Sequence, residues 1–104
     1  MDIIGIDKET GVVIMTVVDG LSWEDEEKKL RLLQNKINTY VNFIENGQLI
    51  KVVPDAAGRS IQIIAKFMYE VPPIGVDFLK KAEDILGAEG YKFSWSVEYM
   101  AETN

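Results

Sequence analysis

The strongest constraint on this chain is a stripe in its first half. Trp23, Leu30, Leu33, Ile37, Tyr40, Val41 and Ile44 recur at steps of three, four and seven, a spacing that a 3.6-residue helix gathers on one side. A helix with an apolar side needs a second layer to cover it. Ser22 stands three residues before Asp25 in a capping-box-like start, and the acids Glu24 to Glu27 fill a first turn where the helix dipole favours negative charge. Gly47 reads as the stop.

The segments around this helix carry the other period. Ile3 to Ile6 and Val12 to Val18 are apolar and rich in β-branched residues, and Asp7-Lys8-Glu9-Thr10-Gly11 between them reads as a hairpin connection. Leu49 to Val53 and Ser60 to Tyr69 read as two more strands, joined in a second hairpin through Pro54-Asp55-Ala56-Ala57-Gly58-Arg59. Pro72-Pro73 ends that strand. Val76 to Ala88 then carries Phe78, Leu79, Ala82, Ile85 and Leu86 at helical spacing, closed by Gly90. The last segment alternates, with Tyr91, Phe93, Trp95, Val97 and Tyr99 on one side and Lys92, Ser94, Ser96 and Glu98 on the other. The expected fold class is therefore α+β, in the order β-β-α-β-β-α-β. It is a two-layer sandwich of a mainly antiparallel five-stranded sheet with two helices on one face, and its strand order stays open.

At 104 residues and 47% hydrophobic content the chain matches one domain, 1–104, with one core. Its apolar runs are a few residues long, far short of the roughly 20 that span a bilayer, so no membrane association is expected. No basic region followed by an apolar stretch opens the sequence, and a cytoplasmic location is the expectation. Cysteine and histidine are both absent. That removes disulfides, thiolate nucleophiles, imidazole triads and the usual soft metal ligands. Seventeen acids against 11 basic residues give a net charge of -6, with the basic residues spread through the chain. A phosphate backbone would be repelled, so no nucleic acid is expected.

Each local feature that resembles a site has a plainer structural reading beside it. The run Glu24-Asp25-Glu26-Glu27 supplies hard oxygen ligands, yet consecutive helical residues point in different directions and no calcium-loop spacing occurs. It reads as a dipole-stabilised first turn. Glu26 falls inside the angle of the apolar stripe and is expected to reach around the helix end into water. The aromatic row Tyr91, Phe93, Trp95 and Tyr99 has the look of a base-stacking platform, but in an acidic chain it reads as core. Arg59 after Gly58 is placed to grip an anion and reads as part of a solvated turn. Leu32 and Phe43, 11 residues apart on the side of the long helix away from the stripe, come to nearly the same angle three turns on. With Lys36 and Thr39 beside them they form a candidate interaction face, expected to be exposed. Lys92, Ser94, Ser96 and Glu98, with Gln62, Ile64, Lys66 and Met68 or their alternates, are expected on an open, half-apolar sheet face.

One resemblance covers most of the chain. Gly5-Ile6-Asp7, Trp23-Glu24-Asp25-Glu26-Glu27, Leu33-Gln34, Lys36-Ile37-Asn38, Tyr40, Phe43-Ile44-Glu45 and Gly47-Gln48 resemble an uncharacterised family of short acidic bacterial proteins, a domain of unknown function. The resemblance implies a bacterial protein and no activity or site residues.

No phosphate loop, nucleophile elbow or metalloprotease spacing is present, and the chain is read as no enzyme, with no catalytic residues, cofactor or metal. Its leading expectation is a non-catalytic protein-interaction module, a small acidic binder or immunity-like protein for a basic partner. The alternative is a small-ligand-binding or regulatory domain acting as a homodimer through the open sheet face.

Overall fold

The computed structural model of the chain describes residues 3–98. Among these the elements run β1 (Ile3–Ile6), β2 (Val13–Asp19), α1 (Glu26–Glu45), α2 (Gln48–Val52), a 3-10 turn (Pro54–Ala56), β3 (Ile61–Phe67), α3 (Pro73–Ala88) and β4 (Lys92–Val97). The strands form one sheet in the order β1-β2-β3-β4. β1 pairs antiparallel with β2, whereas β2 with β3 and β3 with β4 are parallel. The expected five-stranded, mainly antiparallel sheet is thus corrected to a four-stranded mixed sheet, mostly parallel after its first hairpin, with three helices.

The correction has one local cause. Leu49 to Val53 is helical, because Gly47, at φ 85, turns the chain out of α1 straight into α2. Only glycine takes that left-handed conformation without a Cβ penalty. Leu49 and Ala56 are buried and Val53 is half-buried, while Ile50 and Val52 face water. Positions 49, 53 and 56 are spaced i, i+4, i+7, so the buried side follows the helical period. With that strand gone, α1 becomes the crossover between β2 and β3, and parallel pairing follows because a parallel return needs a long connection. α3 plays the same part between β3 and β4.

The elements close as the local chemistry demands. Asp7 accepts hydrogen bonds from the amides of Glu9 (2.8 Å) and Thr10 (3.2 Å), and Gly11 at φ 74 completes the hairpin turn. Asp25, not Ser22, caps α1, its carboxylate accepting from the Lys28 amide at 3.0 Å, and the helix starts three residues later than the capping-box spacing suggests. Val13, Met15 and Val17 of β2, Ile63, Ala65 and Phe67 of β3 and Phe93 of β4 form one buried cluster with Leu33 and Ile37 of α1 and Leu79, Ala82 and Leu86 of α3. Full burial of such side chains contributes about 1.5–3 kcal/mol each. The aromatic row joins this core, as expected: Tyr91, Trp95 and Val97 pack against it, and Trp95 meets Phe67 edge-on at 6.4 Å. Tyr99 lies outside the described residues.

Candidate functional site

Parallel crossovers lay α1 and α3 side by side on the sheet, pointing the same way. Pro73 begins α3, which sends Leu79, Ala82 and Leu86 into the core and leaves Ile74, Phe78 and Ile85 on the flank towards α1. The apolar arc of α3 is wider than the sheet covers. Ile85, expected in the core stripe, is 65% exposed and Ile74 is 45% exposed.

A groove runs between the helices. At one end Ile74 and Phe78 face Leu30, Gln34 and the acids Glu26 and Glu27, with Arg31 beside them. Further along, Phe78, Ala82, Ile85 and Leu86 face Gln34, Ile37 and Asn38 around a hollow of about 210 Å³, with Lys81 at the rim. Gln34 and Phe78 line both parts and make them continuous. The groove is apolar along its floor, acidic where the two helices begin, and basic at Lys81. Glu26 stands exposed at the acidic end.

The candidate face Leu32, Lys36, Thr39 and Phe43 is less open than its helical angle suggests. Leu32 is 42% exposed, but Phe43 is half-buried and packs against the core. Lys36 donates to the carbonyl of Val18 at 3.4 Å, and Thr39 donates to the carbonyl of Asn35 at 2.8 Å.

Two residues that meet at the carboxyl end of β2, Asp19 of the strand and Lys29 of α1, escaped the sequence reading. Lys29 is 3% exposed and Asp19 8% exposed; the Lys29 ammonium donates to the Asp19 carboxylate and to the carbonyl of Leu21, and lies 5.1 Å from the Trp23 ring centre. Asp19 also accepts from the Leu21 amide at 3.0 Å. The signal was present in two places: Asp19 continues the buried alternation of Val13, Met15 and Val17, and Lys29 is one turn before Leu33. Opposite charges placed on the same core face satisfy one another. The pair ties the β2–α1 connection to the helix and is a structural feature.

The remaining candidates are also occupied by the fold. Arg59 donates to the carbonyls of Asp55 (2.6 Å) and Gly11 (3.2 Å), clamping the turn before β3 onto the first hairpin. A Cβ at Gly11 would sit 2.7 Å from that guanidinium. Among the described residues no three acids gather as a metal cradle. Tyr91 donates to the Glu45 carboxylate at 3.2 Å. Burial, that hydrogen bond and the nearby charges of Glu45 and Glu89 push its phenol above the ordinary 10.0.

Among the described residues no helix covers the far face of the sheet. Registers align Ile14, Gln62 and Lys92 in one row, Thr16, Ile64 and Ser94 in the next with Ile3 of β1, and Val18, Lys66 and Ser96 in the third. Gln62 donates to Ser94 at 3.2 Å, and Lys66 pairs with Glu98 at 3.2 Å. No helix among the described residues is long and apolar enough to cross a membrane.

No curated protein and no solved structure matches the chain. A family model does match, over residues 1–99, and by that match the chain belongs to a family of unknown function, DUF6572.

Proposed function

We propose that the chain is a non-catalytic protein-interaction module that takes an amphipathic helix of a basic protein in the groove between α1 and α3. The observation that carries this reading is the apolar flank of α3, with Ile74 and Ile85 left in water beside Phe78. Helix-in-groove recognition uses apolar anchors at i, i+4 and i+7 against such a floor. Sixteen residues of α3 give a groove of about 24 Å, room for four turns of a bound helix. Glu26 and Glu27 at its mouth and the net charge of -6 favour an occupant with basic residues at one end, and they speed its approach. The absence of cysteine and histidine supports the non-catalytic part of the reading.

The test is binding of a labelled helical peptide with leucines at i, i+4 and i+7 and arginines at one end, followed by fluorescence anisotropy. Saturable binding that weakens with added salt is expected. Ile85→Glu, checked for folding by circular dichroism, should weaken it about tenfold or more. Absent binding, or binding that Ile85→Glu leaves unchanged, would overturn the reading.

A further inference from the structure

The bare sheet face carries a second and separate surface. Parallel strands are almost always covered on both faces, yet among the described residues β2, β3 and β4 are covered on one. We infer that a second copy of this chain covers the other, packing sheet on sheet about a two-fold axis that lies across the strands along the row Ile3, Thr16, Ile64 and Ser94.

Two arguments favour a second copy. The first is self-complementarity. A two-fold axis across the strands brings each strand over its own counterpart, running the opposite way, and exchanges the first and third rows. Ile14 then meets the partner's Val18, Ile64 meets the partner's Ile64, and Gln62 meets the partner's Lys66. Lys92 meets the partner's Ser96, with the partner's Glu98 adjacent. Ile14, Val18 and Ile64 thus fall on apolar residues, Thr16 falls on Thr16, and Gln62, Lys66 and the β4 residues fall on polar ones. An axis along the strands would instead set Val18 on the partner's Lys66 and Ile14 on the partner's Gln62, which buries polar groups without partners.

The second argument is charge. Two chains at -6 repel, so a contact between copies needs a face without acidic excess. The described strands of the open face carry Lys66 and Lys92, with Glu98 just beyond them, and so hold no acidic excess. The area sets the strength. Strands of four, seven, seven and six residues give a footprint of roughly 380 Å² per copy, so the buried total is roughly 760 Å², the size of a weak, transient contact. Such a dimer separates on dilution, and it leaves the groove on the opposite layer open.

Solution mass by light scattering across a wide concentration range tests this with the whole chain. Wild type should rise from monomer to dimer. Ile64→Lys sets two like charges together on the axis and should give monomer at every concentration; Ile64→Glu should do the same. Mixing the two variants should restore the dimer, because a lysine then faces a glutamate, while Ile85→Lys in the groove should leave the mass of the dimer unchanged. If circular dichroism shows either Ile64 variant unfolded, Ser94→Lys and Ser94→Glu on the same row repeat the exchange. A wild type that stays monomeric, a dimer that survives Ile64→Lys, or a mixture that stays monomeric would overturn the inference.

Discussion

At the scale of single residues, the buried Asp19–Lys29 pair has the largest leverage. Removing one partner strands the other charge: Lys29→Met should cost about 3–5 kcal/mol in urea unfolding. Adding Asp19→Asn, which keeps an acceptor for the Leu21 amide, should recover most of that loss. A Lys29→Met variant of wild-type stability would contradict the pairing. The two glycines of α3 should respond with opposite sign. A Cβ at Gly75 would lie 2.6 Å from Val71 and 2.8 Å from Trp23, whereas Gly87 has nothing within 4 Å. Gly75→Ala should therefore destabilise by about 1–3 kcal/mol through overpacking, and Gly87→Ala should stabilise by about 0.5–1 kcal/mol through helix propensity. Thermal melts distinguish them. Tyr91 supplies a pH test. Its phenol holds its proton more tightly folded than unfolded, so its contribution is complete below about pH 10 and is lost as the pH rises through the higher folded value. Tyr91→Phe should remove that part of the alkaline loss of stability, read as a smaller fall in the urea midpoint than wild type shows.

At the scale of elements, the sequence reading found each strand of the sheet and both long helices, with ends displaced by about three residues, and its topological error lies in the five residues Leu49 to Val53. Ile50 and Val52 are β-branched and gave Leu49 to Val53 the look of a strand, but both face water, and the buried positions follow the helical period. The helical assignment predicts that Leu49→Ala costs about 2–5 kcal/mol as a core deletion, while Ile50→Ala is near neutral because it touches little and improves helix propensity. Equal losses at the two sites would contradict it. That local error carried the topology with it, because turning one strand into a helix removes the expected second hairpin and leaves α1 and α3 as crossovers between parallel strands. Strand direction is a property of connections, which periodicity within a segment does not encode. The same limit applies to Phe43. Its helical angle places it away from the stripe, yet tertiary packing against the core leaves it half-buried.

At the scale of the whole molecule, the described residues of an acidic chain without cysteine or histidine present apolar side chains beyond the core in the groove between α1 and α3 and on the far face of the sheet. The groove was illegible in the sequence because Ile85 fits the stripe of α3 and reads as core; its exposure follows from how far apart two parallel crossover helices sit on a four-stranded sheet. The bare face was legible, since the alternation of Lys92, Ser94, Ser96 and Glu98 announces it directly. The central claim is that a foreign helix is taken by the helical layer. It is tested most directly by mapping backbone amide shifts in the isotope-labelled chain as the basic amphipathic peptide is added. The prediction is that shifts concentrate at Leu30, Gln34, Phe78, Ala82 and Ile85; shifts centred on Ile14, Thr16 and Ile64, or no shifts at saturating peptide, would contradict it.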